Sequence, residues 1–433
     1  MFAGKVVGIA WDDNEETIMK RFARPWIALG WAAMAAFAAW AAAADKPAEE
    51  SRPAVAIEAA KYPSLQAAFD ALPEAGGLVK LPPGEFRITQ PLVISRGNTR
   101  VEGAGTATRI VNCGQKGEPA LIVRPGDLAK NPRARLWRVQ LADFRVNGDP
   151  NTVNDKSTSP KSGDGIVFQN IDELYVHGMT VDHNGGHGIH LIACVEDPRI
   201  ADSIIEYNRQ AGLNVVGGHD TVVNANHFEE NQDAVRFLDG FNLTMNGNNI
   251  DDHLGHGVVI ENTYGSVLSG NMIEECNGTA VILDRDCYGI TISANVIAHN
   301  AGGGVELRDA WGCAVSANTF TLEAKQALVV GPQSGRIAIT GNNFCNSFVG
   351  PKVKFEGPAS GVELEGTSDV TICGNVFSGL IGPAVQARGV CQRIAVTGNV
   401  LVDLNLKTTP PRPALDLPQL KESVVDHNVV GRP

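Results

Sequence analysis

Two carboxylates and two imidazoles fall within six residues at Asp251-Asp252-His253-Leu254-Gly255-His256. Such a set offers proton-transfer groups that titrate near neutral pH, and ligand atoms for a metal. A related turn, His183-Asn184-Gly185-Gly186-His187, precedes His190. Charged residues then recur at intervals: Arg236 and Asp239, Glu261, Asp284 with Arg285, and Glu306 with Arg308 and Asp309. Paired carboxylates perform general acid and base work on glycosidic bonds. Arginines beside them neutralise a uronate or keep a carboxylate ionised. These residues are far apart in the chain, so the chemistry depends on elements that bring them together.

Those elements are repeats. The strings VNANHF, MNGNNI, LSGNMI, ISANVI, VSANTF, ITGNNF, ICGNVF and VTGNVL share asparagines at 226, 248, 271, 295, 318, 342, 375 and 399. Their spacings are 22, 23, 24, 23, 24, 33 and 24, and Asn428 closes the series. Each period carries an alternating run, the Asn, a short apolar pair and a turn. A unit of small, apolar, variable and apolar residues follows, as in Gly188-Ile189-His190-Leu191 and Gly257-Val258-Val259-Ile260. Alternation of period two places one face inside and the other in solvent. Such a period is too short for a four-stranded propeller blade and lacks the leucine-rich signature, but it accommodates three short strands and three turns. An Asn side chain bonds backbone in a tight bend and tolerates unusual dihedrals, so stacked Asn residues are expected to form a ladder.

Stacking the units reads out columns. The variable position runs Val167, His190, Asn214, Arg236, Val259, Ile282, Glu306, Val329. Two residues on stand Glu261, Asp284 and Arg308, and one further Asp239, Arg285 and Asp309. Parallel strands lie about 4.8 Å apart, so neighbours in a column touch. The expected catalytic set is Arg236, Asp252, His253, His256, Glu261, Asp284, Arg285 and Arg308. The expected substrate-binding set is His190, Asn214, Asp239, Glu306 and Asp309. The competing reading of the strip is a solvated face of surface ion pairs. A further acidic column, Asp182, Glu206, Glu229, Asp251 and Glu274, makes Ca²⁺ a candidate ligand, although no compact acidic loop singles it out.

These repeats resemble those of the right-handed parallel β-helix superfamily typified by pectate lyases, with PbH1-type repeats, over about residues 54–431. Tyr62-Pro63-Ser64-Leu65-Gln66-Ala67-Ala68-Phe69 reads as a short helix with Ser64 as N-cap. Leu81-Pro82-Pro83-Gly84 follows it, and the resemblance implies a helix that caps the first coil. It also implies an all-β solenoid that holds glycans on its first-strand face, as a lyase or hydrolase of an acidic glycan. The alternative is a non-catalytic glycan-binding or cell-surface protein, since this fold hosts both. The strings Asp251-Asp252 and Gly255-His256-Gly257 also occur in polygalacturonase-like hydrolases, but there on different coils; that family is not assigned, and the mannuronan epimerase motif DPH is absent.

The net charge of −12 disfavours nucleic acid as the partner and leaves a polysaccharide or oligosaccharide. Residues 1–18 read as an over-extended start. From Met19, a basic stretch (Lys20, Arg21, Arg24), an alanine-rich apolar run and Ala42-Ala43-Ala44 read as a signal peptide over 19–44. Residues 45–54 are a linker, and 55–431 the solenoid. A secreted or periplasmic protein follows, with membrane attachment only if the leader stays uncleaved. Eight cysteines fall mostly at different coil positions, which argues against a full disulfide framework. Two long turns, 147–164 with Lys156 and Lys161 and 345–360 with Lys352 and Lys354, are expected to wall a groove roughly 29 Å long.

Overall fold

The computed structural model describes residues 55–148, 161–346, 359–404 and 412–431. The leader and most of the two long turns, with Lys156, Lys352 and Lys354, lie outside the described residues. The rest is a right-handed parallel β-helix, the hand that parallel crossovers take.

One coil shows the plan. A first strand, Ile189–Ile192, leads to a second, Arg199–Ala201, and a third, Ile204–Glu206, before the next first strand, Leu213–Val216. Every strand pairs in parallel with its counterpart on the next coil. Third strands form a 14-stranded sheet. First and second strands merge into a 31-stranded one, because in coils such as Val235–Phe241 the first strand runs on through the corner. Alternating residues point inward, and the interior includes the fully buried Phe228, Phe320, Phe344 and Phe377. Phe320, Phe344 and Phe377 stack in successive coils at 4.7 and 4.6 Å between ring centroids.

The Asn ladder lies in the turn between second and third strands. Asn295 Nδ2 donates to Asn318 Oδ1 at 3.0 Å and to the Leu268 carbonyl at 3.1 Å, while its backbone N–H donates to the same Asn318 oxygen. The pattern repeats from Asn226 to Asn428. Each amide thus satisfies backbone groups that the bend takes out of the sheet.

At the N-terminus a helix, Leu65–Asp70, covers the core with Leu65, Ala68 and Phe69. Ser64 caps it by accepting the Ala67 N–H. Gln66 bonds both the N–H and the carbonyl of Val93, on the first strand of the ladder, Leu92–Ile94. An edge strand with open hydrogen-bonding groups invites unwanted pairing, and this side chain fills it. All eight cysteines are free thiols. Among the described residues no helix is long and apolar enough to cross a membrane.

Candidate functional site

Sheet pairing aligns the variable column as His190, Asn214, Arg236, Val259, Ile282, Glu306 and Val329. It then continues through Glu363 and Gln386. The charges along its middle are largely committed to each other. Arg236 bridges Asp233 at 3.0 Å and Glu261 at 3.1 Å. Arg285 also pairs with Glu261 and reaches Asp239 at 3.9 Å. Arg308 holds Glu306 at 2.6 Å and lies 3.6 Å from Asp284. Asp309 accepts the Asp286 N–H. Glu261 and Asp284 are neighbours in register, yet they turn to different guanidinium groups.

The turn 251–256 is split by the fold. Asp251 joins the acidic column, and Asp252 is exposed with a left-handed φ of 54° that redirects the chain. His253, expected beside His256, faces the interior instead with no exposure. It occupies a rung of a second ladder, between third and first strands, where Asn184, Asn208 and Asn231 precede it. Its Nδ1 accepts the Asn231 N–H, and burial pushes its pKa down to about 4. Neither Asp252 nor His253 reaches the strip.

His256 does reach the groove side, and His187 is its counterpart three coils earlier. Each donates its backbone N–H at 2.7 Å to an aspartate one coil back: His256 to Asp233, His187 to Asp164. Each accepts a backbone N–H at Nδ1 from the following coil, so a neutral ring carries its proton on Nε2. Burial pushes the His187 pKa down to about 4, which keeps that ring neutral. The second Asp164 oxygen meets His190 Nδ1 at 3.0 Å. Burial opposes the Asp164 charge, but the bonds from His190 and the His187 N–H outweigh it and hold the carboxyl below its usual range. His190 Nδ1 therefore donates to Asp164.

A cleft of about 390 Å³ opens further along the same face, between Glu306, Arg308, Lys325, Gln326, Glu363, Glu365 and Arg388. Glu363 is 1% exposed and receives three N–H donors: Gln326 Nε2 at 2.7 Å, Gln386 Nε2 at 2.6 Å and Arg388 Nε at 2.6 Å. Burial, and then the adjacent Glu363 charge, push the Glu365 carboxyl above its usual range. The sequence pattern reached Glu306 and Arg308 of this cleft but not Glu363 or Glu365, because the 33-residue coil broke the count. The signal was there: Gly361-Val362-Glu363-Leu364 and Ala384-Val385-Gln386-Ala387 repeat the first-strand unit. Asp164 also went unnoticed, although an Asp before the unit with a His one period later occurs twice, as Asp164/His187 and Asp233/His256.

The acidic column stacks from Asp182 to Glu274. Arg145 makes a two-pronged bond to Asp182 at 2.8 and 2.6 Å. Burial first, and neighbouring carboxylates next, push Glu206, Asp251 and Glu274 above the usual range. A Ca²⁺ ion there would have to be held beyond Asp182, whose oxygens are taken.

Residues 200–403 match the family described as periplasmic copper-binding protein (NosD). No curated protein matches the sequence. Among solved structures the fold is similar to tailspike protein 3 of bacteriophage CBA120, at 12% identity and a TM-score of 0.52 over 91% of this chain and 69% of that one. It is equally similar to the DFA-IIIase of Arthrobacter chlorophenolicus A6, at 12% identity and a TM-score of 0.52 over 80% and 94%. The chain spans 61% of the length of Geobacillus virus E2 ORF18 and 62% of the Dettilon tailspike. At these identities the likeness shows the fold alone.

Copper does not fit the residues found. Among the described residues, the one trio of His, Cys, Asp or Glu ligand atoms close enough for an ion is Asp164, His187 and His190, outside the matched segment. His187 spends its Nδ1 lone pair on the Ala211 N–H, which leaves a protonated Nε2 and two ligand atoms rather than three. The Cys194, Cys276 and Cys287 thiols are buried, which pushes them up to about 12, and none belongs to a cluster of three such ligand atoms among the described residues.

Proposed function

We propose that the protein is an exported enzyme that binds an acidic polysaccharide along its first-strand face and hydrolyses it in the cleft at Glu365. The observation that carries this reading is the Glu363/Glu365 pair, in which burial and then the neighbouring Glu363 push the Glu365 carboxyl above its usual range. Two carboxyl groups whose surroundings drive their pKa values apart are the usual mark of an acid and its partner. Glu365 would give its proton to the glycosidic oxygen as the bond to the sugar carbon breaks. Glu306, paired with Arg308, would take a proton from the water that attacks that carbon. Glu306 lies two strands from the strand that carries Glu365, both line the cleft, and the Glu306 charge acts on the Glu365 carboxyl. Lys325, Arg308 and Arg388 supply positive charge for uronate groups.

The remaining strip residues, from Asp284 and Arg285 back to Arg236 and His190, would form the floor that holds the chain. His190 is five strands from Glu306, about 24 Å, at the far end of that floor. The leader pattern and the periplasmic description of the matched family support export. The mutual pairing of the central charges favours a second reading, a glycan binder without turnover.

Incubation with a panel of uronate polymers separates these readings. New reducing ends that vanish in Glu365→Gln support hydrolysis. Products with an unsaturated, ultraviolet-absorbing end would make the protein a lyase. Binding with no product from any polymer would leave the binder.

A further inference from the structure

Beside the charged strip, at the corner where first strands turn into second strands, five successive coils carry a ring at one position. His219 pairs with Phe241, Phe241 with Tyr264, Tyr264 with Tyr288 and Tyr288 with Trp311. The residue after each ring has a positive φ: Asp220 55°, Asn242 56°, Gly265 57°, Gly289 65° and Gly312 61°. The corner therefore turns the same way each time and brings the rings out in a line. Phe241, Tyr264 and Tyr288 are 37%, 42% and 54% exposed. His219 and Phe241 stack at 3.9 Å. The column ends where Trp311 lies over Gly335; a Cβ there would come within 2.8 Å of the indole.

A corner that needed only the backbone bend would be served by small polar residues. Leaving a row of rings in water is unfavourable, and contiguous exposed apolar surface marks an interaction site. We infer that this column is a carbohydrate platform on which sugar rings of an oligosaccharide stack, with the chain running along the solenoid axis. Four steps of about 4.8 Å make it about 19 Å long. A sugar ring has an apolar C–H face and a polar rim, and the column offers both partners. The rings supply flat apolar faces. Tyr264 Oη donates to Asn262 Oδ1 at 3.2 Å and Asn262 Nδ2 to Asp239 Oδ1 at 2.9 Å, so hydrogen-bonding groups flank the rings and join them to the charged strip. Nucleic-acid bases also stack on aromatic rows, but the net charge of −12 opposes a phosphate backbone.

The ligand class rests on the glycan reading; the position of the platform does not, and it needs no turnover. Stacking on C–H faces is indifferent to salt, whereas pairing of a uronate with Lys325 or the arginines of the cleft weakens as salt rises. The test is affinity electrophoresis and calorimetry of the folded protein with neutral and uronate oligosaccharides, at low and high salt. Tyr288→Ala and Trp311→Ala are expected to weaken the salt-insensitive binding by about tenfold each, with Tyr288→Phe unchanged. On a cleaved polymer, KM should rise while kcat holds. Tyr288→Leu keeps apolar bulk without a flat ring, and it should fail as Ala does. Binding by the wild type that survives in the folded Tyr288→Ala protein would overturn the platform alone. No binding of any glycan by the wild type would overturn the functional reading itself. A shift from oligomer to monomer in Tyr288→Ala would overturn the platform in favour of a contact between copies.

Discussion

Asn295 and Glu306 both sit on columns that sheet pairing keeps in register, but the columns obey different rules. The second-to-third turn repeats Asn on nine coils, because every coil presents the same unsatisfied backbone groups to it. The first-strand face changes residue at every coil, from His190 through Asn214 and Arg236 to Glu363. Nothing in the backbone dictates those side chains, so they are free to serve a ligand. Between these extremes lies the third-to-first ladder. It begins as Asn184, Asn208 and Asn231 and then admits His253, Cys276 and Glu323. A uniform column thus indicates structure, a varied outward column indicates use, and a uniform inward column with exceptions indicates sites of pH sensitivity.

The largest effect should come from the varied face. Glu365→Gln is expected to lower turnover by about 10²–10⁴-fold while the melting temperature stays put, because it removes a proton donor and no core contact. Enzyme assays beside thermal melts check this, and a Gln variant with full activity removes the proposed acid.

On the uniform ladder, Asn295→Ala is expected to destabilise by about 1–3 kcal/mol, read as a lower urea midpoint, since buried backbone groups lose their partner. An unchanged midpoint would contradict the ladder's role.

The exceptions sharpen the comparison through pH. Burial pushes Glu323 up to about 8, partly offset by the bond from Asn300. Its unfolded pKa is 4.5, so the stability it allows is full at low pH and is lost as pH rises from 4.5 through 8. His253 runs the other way. Its contribution is full above 6.5 and is lost as pH falls towards 4. Glu323→Gln should therefore remove the loss of stability between pH 4.5 and 8, and His253→Asn, which restores the usual rung, the loss between pH 6.5 and 4. Parallel profiles for variants and wild type would show that these rungs do not titrate in the native state.

The smallest effect belongs to the exposed ion pairs. Arg285→Ala should change stability by less than about 1 kcal/mol, as solvent screens half-exposed charges. A larger loss in denaturant melts would mean that the strip is structural.

The coil period, the Asn ladder, the capping helix with its Ser64 cap and the register of His190, Arg236 and Glu306 were legible from residues alone. Each follows from local rules: alternation of period two, turn chemistry and helix capping. What only the tertiary structure decided is which side of the wall a turn residue takes and who meets it. His253 and His256 are three residues apart, yet the left-handed φ at Asp252 sends one into the core and lets the next turn bring the other out. Glu363 entered the cleft across a coil of irregular length, and the rings from His219 to Trp311 lined up through corners 22 to 24 residues apart. In a solenoid a side chain's nearest neighbours are one coil away rather than one residue away. Local pattern therefore yields the repeat, while the site is made by stacking.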